Sequence, residues 1–239
     1  MTGMKPEQGS RVVAIIPAAG IGSRFGDKTN KPLELLNGKP LLIWALETLE
    51  SMREIREIIP VLKESDMEYG ADLFEEYRIS KIRRIAPGGK DRQDSVFHGL
   101  KLIDDKKCIV LVHDGVRPLI EAHIIREALK QMKDCDGVVI AVPVKDTIKE
   151  VSEGIIKKTL KRNSLWAVQT PQIFPYKTLY NAYEKAMKDS FYSTDDSALV
   201  EKYGGKIKIV DGSYENIKIT TPEDMKIAKM TLSSKESKQ

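Results

Sequence analysis

Short runs of Val and Ile alternate along the chain with stretches in which apolar residues recur every three or four positions. The runs predict strands over 12–16, 58–62, 82–86, 109–112 and 138–142, and the stretches between them predict helices near 41–49, 94–103 and 124–132. Continuous apolar strands separated by amphipathic helices are typical of a parallel sheet that is covered on both faces. The pattern therefore predicts an α/β domain with a Rossmann-like, doubly wound and mostly parallel sheet.

The alternation breaks after Pro143. Residues 145–161 are charged, rich in Thr, Val and Ile, and carry a turn signal at Gly154, so they predict a β-hairpin with little hydrophobic content. Because such a hairpin is marginal alone, we expect it to pack against another surface, and a partner subunit is one candidate. Further helices are predicted near 177–188, 195–202 and from Thr221-Pro222 onward, with short strands at 207–210 and 217–219. We expect one domain over 1–239, from which 144–163 protrudes as a β-arm.

Composition narrows the class of protein. The 239 residues are 41% hydrophobic, enough for a sizeable core. Most of the 39 basic residues are interleaved with the 35 acidic ones, which favours a solvated surface over a nucleic-acid-binding face. The two cysteines, Cys108 and Cys135, form no metal or disulfide pattern and fit a reducing cytoplasm. The longest apolar stretch, 12–21, is about half the length that a bilayer requires. We expect a cytoplasmic protein with neither membrane nor nucleic acid as a partner.

A small-residue loop follows the first predicted strand. Its backbone N–H groups can approach and cradle phosphates, because small side chains do not block them. A dinucleotide fingerprint would need Gly where Phe25 stands, and no Gly-Lys-Ser/Thr of a P-loop is present. Two cations close to the loop, Arg24 and Lys31, can clamp a triphosphate and neutralise charge during transfer. The alternative is an ordinary strand-to-helix turn with solvated charges.

Several segments carry a resemblance to one family. The loop Pro17-Ala18-Ala19-Gly20-x-Gly22-x-Arg24 with Lys31 resembles the signature loop of sugar-phosphate nucleotidyltransferases. Six further segments, at 88–96, 112–118, 143–147, 165–172, 194–196 and 216–220, are similar to the 2-C-methyl-D-erythritol 4-phosphate cytidylyltransferase family of the non-mevalonate isoprenoid pathway. The matches follow the family's order over almost the whole chain. The ribitol 5-phosphate cytidylyltransferases share most of the glycine and His-Asp-x-x-Arg-Pro motifs, but Leu165–Val168 resembles the methylerythritol branch more.

The resemblance implies a reaction that moves CMP from CTP onto a small sugar-phosphate, with Mg²⁺ or another divalent metal. It implies that Arg24 and Lys31 are catalytic and that Asp114 holds the metal. The residues that it implies for nucleotide binding are Pro17, Ala18, Ala19, Gly20, Gly22, Gly88, Gly89, Ser95 and Gly115. Those that it implies for the sugar-phosphate are Arg117, Thr147, Arg162, Thr170, Thr194 and Lys218. In the family the hairpin swaps between the subunits of a homodimer, so Thr147 and Arg162 are expected to serve a neighbour's active site.

Two positions depart from the family's pattern. Asn30 precedes Lys31 where the family usually has Pro, which changes the expected path of the loop. Lys90 stands where many members carry a small or acidic residue, which changes an expected contact to CTP. The phosphate monoester of the acceptor has a second pKa near 6, so the reaction needs no general base at pH 7. His113 precedes Asp114 and is expected to be a hydrogen-bonded structural histidine, with a ligand role as the alternative.

Two readings from other classes remain as alternatives. A nicotinamide-dependent oxidoreductase on the same sheet would need an acidic residue after the second predicted strand, where Lys63 stands. A non-catalytic regulator would bind CTP without releasing pyrophosphate. The combination of Arg24, Lys31 and Asp114 favours the enzyme.

Overall fold

The computed structural model of the protein describes residues 12–20 and 31–236. The predicted site residues Gly22 and Arg24, and the departure at Asn30, lie outside the described residues. None of the helices in the described ranges has both the length and the apolar content that crossing a membrane requires.

The described chain alternates between strands and helices. The strands are β1 (Val12–Pro17), β2 (Leu35–Leu36), β3 (Lys39–Pro40), β4 (Ile55–Leu62), β5 (Ala86–Pro87), β6 (Ile109–Val112), β7 (Gly137–Pro143), β8 (Lys149–Ser152), β9 (Ile155–Thr159), β10 (Trp166–Pro175) and β11 (Ile207–Asp211). The helices are α1 (Leu41–Glu50), α2 (Met67–Glu76), α3 (Arg92–Leu102), α4 (Ala122–Lys130), α5 (Tyr176–Lys188), α6 (Asp196–Lys202) and α7 (Pro222–Glu236). Short 3₁₀ turns lie at Lys31–Leu33, Glu64–Asp66 and Arg162–Ser164.

Seven strands form one sheet in the order β11-β7-β10-β6-β1-β4-β5. Strand β10 runs antiparallel to both of its neighbours, β6 and β7, whereas the other neighbouring pairs are parallel. The predicted α/β, mostly parallel sheet is therefore confirmed. Strand β1 lies between β4 and β6, so the chain winds outward in both directions from it, and this reversal is where ligands bind in open α/β sheets.

The core lies on both faces of this sheet. Successive side chains of β1 point to opposite faces, as the strand period of two requires. Ala14 and Ile16 pack in one apolar cluster with residues of α1 and α4, and Val13 and Ile15 pack in a second with residues of α3 and α5. Because both faces are covered, the central strands read as unbroken apolar runs in the sequence.

The predicted hairpin is confirmed as a separate two-stranded antiparallel sheet of β8 and β9. Glu153 and Gly154 join the strands with φ of 53° and 75°, which is the conformation of a type I′ turn. All residues of both strands are exposed. The hairpin therefore buries no apolar face of its own.

Several predicted elements were wrong or were missed. The segment 82–86 is not a continuous strand. It makes one isolated bridge, from Ile82 to Ile58, and its last residue begins the short β5. The segment 217–219 is not a strand, although Ile219 is buried and its amide donates to the Val116 carbonyl. Helix α2 and the long strand β10 were not predicted. The register of β10 shifts between Val168 and Gln172, and its polar middle conceals the strand pattern.

Candidate active site

A cavity of about 450 Å³ opens at the carboxyl ends of β1, β4 and β6. This is the crevice that the position of β1 in the sheet predicts as a ligand site. Many of the residues that the sequence assigned to the site line it: Pro17, Ala18, Ala19, Gly20, Lys31, Gly88, Gly89, Ser95, Asp114 and Lys218. Residues that the sequence did not assign also line it, namely Pro32, Lys63, Glu64, Lys90, Asp91, Arg92, Val116, Ile219 and Thr220.

The glycine pair after β5 forms one wall of the cavity. A Cβ atom at Gly88 would lie 2.4 Å from the Cβ of Ala19, and one at Gly89 would lie 2.3 Å from the Cβ of Asp94. Both positions therefore require glycine, because backbone would have to shift to admit a side chain. The Ser95 hydroxyl accepts a hydrogen bond from the Gly89 amide at 3.0 Å and lies 3.1 Å from the Asp91 carbonyl oxygen. Ser95 thus ties the turn to the first residues of α3.

Asp114, two residues beyond β6, is surrounded by positive side chains. Its Oδ1 accepts a hydrogen bond from Arg92 Nε at 3.1 Å, and its Oδ2 lies 3.0 Å from Lys218 Nζ and 3.7 Å from Arg117 Nε. Burial by itself raises the pKa of the Asp114 carboxyl, but the charges of Arg92, Lys218 and Arg117 outweigh burial and hold the pKa well below its usual range. Asp114 is therefore ionised at neutral pH, and its one negative charge faces the three positive charges of Arg92, Lys218 and Arg117.

Arg92 is a site residue that the sequence did not single out. Its guanidinium bridges Asp114 and Asp196, with Nη1 and Nη2 donating to the two Asp196 oxygens at 3.0 and 2.9 Å. Asp196 is fully buried at the first residue of α6 and also accepts a hydrogen bond from the Tyr183 hydroxyl. Burial lowers the pKa of Arg92, but the two carboxylates more than offset it and raise that pKa well above its ordinary value. No spacing rule could have found this pair, since 104 residues separate its members.

A buried layer supports Asp114 from behind. His113 is completely buried, with its Nε2 3.1 Å from the Arg117 carbonyl oxygen and its Nδ1 3.0 Å from Thr170 Oγ1. The Asp114 amide donates to the same Thr170 oxygen at 3.0 Å. Burial lowers the pKa of His113 to about 4, so the ring is neutral at pH 7. The expectation of a hydrogen-bonded structural histidine is confirmed.

Three cations that the sequence assigned to the site have different environments. Lys31 is buried in the cavity wall, and its Nζ donates to the Thr220 carbonyl at 3.0 Å. Arg117 is buried and donates through Nη1 to the Asn216 carbonyl at 2.7 Å. The Lys218 side chain is 42% exposed, which lets it reach a ligand in the cavity.

Arg117 and the remaining predicted residues do not line the cavity. Gly115 is buried with its amide bonded to the Pro17 carbonyl at 3.2 Å, and Thr170 lies in the layer behind Asp114. Thr194 is exposed between α5 and α6. Thr147 and Arg162 are exposed at the base of the hairpin, where Arg162 Nη1 donates to the Lys145 carbonyl at 3.0 Å. The roles assigned to these residues stay predictions.

The carboxylates of the cavity bear on the expected metal. Over 12–20 and 31–236, no group of three or more His, Cys, Asp or Glu side chains could hold an ion. Asp114, Glu64 and Asp91 line the cavity. Mg²⁺ in nucleotide sites is held by one or two carboxylates together with substrate phosphates. The residues present therefore fit an ion that arrives with a triphosphate, and do not form a cage for one bound by protein alone.

Comparison with known proteins gives a consistent result. The family model for 2-C-methyl-D-erythritol 4-phosphate cytidylyltransferase matches residues 12–234. The chain is 46% identical over 222 residues to the cytidylyltransferase of that name from Clostridioides difficile strain 630, covering 91% of this chain and 92% of that one. It is 42% identical over 232 residues to its counterpart from Geotalea uraniireducens strain Rf4, covering 96% and 100%.

Solved structures agree with the sequence relatives. The crystal structure of 4-diphosphocytidyl-2C-methyl-D-erythritol synthase from Anaerococcus prevotii DSM 20548 is similar with a TM-score of 0.83 and 36% identity, covering 94% of this chain and 99% of that one. Fold, cavity and sequence thus lead to the same assignment, and this chain belongs to the 2-C-methyl-D-erythritol 4-phosphate cytidylyltransferase family.

Proposed function

We propose that the protein transfers CMP from CTP to the phosphate of 2-C-methyl-D-erythritol 4-phosphate and releases pyrophosphate. The observation that carries this proposal is the charge arrangement of the cavity. Lys218, Arg117 and Arg92 converge on the single carboxylate of Asp114, beside a wall of backbone from Gly88 and Gly89. Such a site suits a nucleotide whose phosphates face cations and whose base lies against backbone.

The nucleotide end of the cavity would bind through backbone and small side chains. Pro17 ends β1, Ala18, Ala19 and Gly20 follow it, and the Gly88-Gly89 turn faces them. Ser95, already bonded to the turn, would hold its shape against the base. The volume of about 450 Å³ lies within the range of small-molecule sites.

The chemistry requires positioning and charge rather than a base. An oxygen of the acceptor phosphate attacks the α-phosphorus of CTP, and the bond to the departing pyrophosphate breaks in line. That phosphate is already ionised at pH 7, so no side chain has to remove a proton. Lys218 and Arg117 would hold the acceptor, and Arg24 and Lys31 would stabilise the charge that develops on the triphosphate. Thr194 and Thr170 are also proposed to serve the acceptor, together with Thr147 and Arg162 of the hairpin.

Asp114 is the residue proposed to hold Mg²⁺ together with nucleotide phosphates. The ion would supply electrostatic stabilisation of phosphate oxygens. The other cavity carboxylates, Glu64 and Asp91, have no role in this proposal.

Pyrophosphate release from CTP and Mg²⁺ tests the proposed function directly. The assay compares 2-C-methyl-D-erythritol 4-phosphate with ribitol 5-phosphate, at equal concentrations and with one enzyme preparation. We expect fast release with the first acceptor only. Pyrophosphate release with ribitol 5-phosphate alone would refute the proposed acceptor. No release with either acceptor would favour a regulator that binds CTP without turnover.

We also infer that the hairpin joins two subunits in a homodimer. Val151, Ile155 and Ile156 are 54%, 62% and 58% exposed, although they are the apolar residues of its two strands. A two-stranded hairpin without a covered apolar face is marginal in water, so a second copy of the chain would cover it. In such a dimer, Thr147 and Arg162 would reach the neighbour's cavity.

Mixing two defective variants tests this arrangement. Arg162→Ala damages the arm and Asp114→Asn damages the cavity, so each homodimer should have low activity. After an equal mixture is unfolded and refolded together, heterodimers should contain one intact composite site each, and activity should return to about one quarter of wild type. No recovery, with dimers demonstrated by sedimentation, would refute the exchange of arms.

The proposed location is the cytoplasm. Cys108 and Cys135 are both unpaired, as in proteins of a reducing compartment.

A further inference from the structure

His113 has no contact with solvent and yet has a polar partner at each ring nitrogen. Nε2 lies 3.1 Å from the Arg117 carbonyl oxygen, and Nδ1 lies 3.0 Å from Thr170 Oγ1. A carbonyl oxygen can only accept a hydrogen bond, so Nε2 must carry a proton. If it did not, two lone pairs would face each other in a buried site, with no compensation.

The second nitrogen then fixes the direction of the next hydrogen bond. Both hydrogen-bond partners of the ring are neutral groups, and the Thr170 hydroxyl has one proton, for which Nδ1 at 3.0 Å is the acceptor. Nδ1 is therefore unprotonated and accepts a hydrogen bond from the Thr170 hydroxyl. The same hydroxyl oxygen accepts the amide proton of Asp114 at 3.0 Å. The Asp114 amide thus donates to Thr170 Oγ1, the Thr170 hydroxyl donates to His113 Nδ1, and His113 Nε2–H donates to the Arg117 carbonyl. We call this series of hydrogen bonds the relay.

This relay connects both ends of the turn that carries the cavity residue Asp114 and the buried Arg117. It holds the amide of Asp114 at one end and the carbonyl of Arg117 at the other. The turn is further closed by a hydrogen bond from the Arg117 amide to the Asp114 carbonyl at 3.0 Å. The Thr170 hydroxyl uses its single proton in the bond to His113. The backbone carbonyl of Thr170 accepts a hydrogen bond from Asn216 Nδ2 at 2.9 Å.

We propose that His113 is a positioning residue, fixed as the neutral tautomer with the proton on Nε2, and that it acts through Thr170 to orient Asp114 and Arg117. The sequence resemblance implied that Thr170 contacts the sugar-phosphate. In the relay, Thr170 also holds the turn that carries Asp114 and Arg117 in place. The expected effect on turnover rests on the proposed cytidylyl transfer, whereas the assignment of the His113 tautomer is independent of it.

The tautomer can be measured without any substrate. Protein labelled with ¹⁵N-histidine contains His98, His113 and His123, and the His113→Asn spectrum identifies the signals that belong to His113. Long-range ¹H–¹⁵N correlation spectra should show a protonated Nε2 and an unprotonated Nδ1 for that ring at pH 7. A proton on Nδ1, or an exchanging mixture of both tautomers, would overturn the relay.

Kinetics of Thr170 variants distinguish positioning from substrate contact. Thr170→Val removes the hydroxyl at nearly constant shape, and Thr170→Ser is the matched control that keeps it. We expect Thr170→Val to lower kcat about tenfold with little change in the acceptor KM, since a buried hydrogen bond that orients the reacting groups is lost. Thr170→Ser should recover most of the loss. A raised acceptor KM with normal kcat would show direct contact and contradict the proposal.

A double-variant cycle completes the test. His113 is fully buried, so the His113→Asn variant should reproduce the kcat defect of Thr170→Val, and the double variant should be no worse than either single one. Multiplying defects would mean that the two residues act independently and would refute the relay. Thermal unfolding of each variant establishes that folded protein is compared. A wild-type enzyme inactive with 2-C-methyl-D-erythritol 4-phosphate would refute the proposed function, while the spectra would still decide the tautomer.

Discussion

Replacing Asp196 by Asn isolates the buried charge pair beneath the cavity. Asp196 is fully buried, receives two hydrogen bonds from Arg92 and receives one from the Tyr183 hydroxyl. Asn has nearly the same shape, so Asp196→Asn opens no cavity; it removes the negative charge and replaces one accepting oxygen by an NH₂ donor. Arg92 then keeps only Asp114 as a carboxylate partner.

The structure sets the size of the expected effect. Removal of one member of a buried ion pair costs about 3–5 kcal/mol, because the other charge is left uncompensated. Since Asp114 still compensates part of the Arg92 charge, the low end of about 3 kcal/mol applies. For a chain of this length, about 1 kcal/mol lowers Tm by about 2–4 °C, so Tm should fall by about 6–12 °C.

Asp104→Asn is the matched control. Asp104 also accepts a hydrogen bond from an arginine, Arg84, at 2.8 Å, but its side chain is 87% exposed. An exposed pair of this kind contributes about 0–1 kcal/mol. Urea unfolding at pH 7, followed by circular dichroism, gives both free energies. If Asp196→Asn destabilised the protein no more than Asp104→Asn, the buried pair would not support the site and the reasoning would fail.

Three further predictions concern the catalytic cations, the thiols and the response to acid. Arg24→Ala and Lys31→Ala should each lower kcat about 10²-fold while the KM for CTP changes much less, and a near-normal kcat in both would contradict their assignment. Burial raises the pKa of Cys108 to about 12, whereas Cys135 is half-buried, so a thiol reagent at pH 8 should label Cys135 first, and Cys135→Ser should abolish that fast phase. The pKa of Asp114 is depressed in the folded state, so its ionic contribution is complete above the unfolded-state pKa of about 3.9 and is lost progressively as the pH falls from there toward the folded-state pKa. The difference in unfolding free energy between wild type and Asp114→Asn should therefore be constant from pH 7 to 5 and narrow below about pH 4, and a difference that stays constant down to pH 3 would refute this.

The central strands were predictable because both of their faces are covered. Strand β6 coincides with its predicted range, and β1 is one residue longer than predicted. Strand β10 was missed because Gln169, Thr170 and Gln172 interrupt its apolar pattern. These side chains are buried and hydrogen-bonded, to the Ser213 carbonyl, the Asp114 amide and the Asp195 carboxylate respectively. A buried polar strand has no hydrophobic period, so sequence alone gives no signal for it.

The candidate site was predictable in part for a similar reason. The resemblance placed Asp114 and Lys218 together, and their contact at 3.0 Å agrees with that. Arg92 and Asp196 had no such signal, because their pairing depends on how α3 and α6 pack together on one face of the sheet. Distant charges that neutralise each other in the interior become recognisable only once the helices are in place.

The hairpin leaves the main sheet and rejoins it at a single pair of residues. Pro143, at the end of β7, and Trp166, at the start of β10, are register partners in the antiparallel ladder. Residues 144–165 leave the antiparallel ladder and return to it at this one pair. A tight turn between Pro143 and Trp166 could therefore replace them without changing the strand order. Residues 144–165 leave the sheet at the edge where the carboxyl ends of the parallel strands lie and the cavity opens. The strand order of the sheet is thus independent of the hairpin, and the subunit contact proposed for it is carried by one modular insertion.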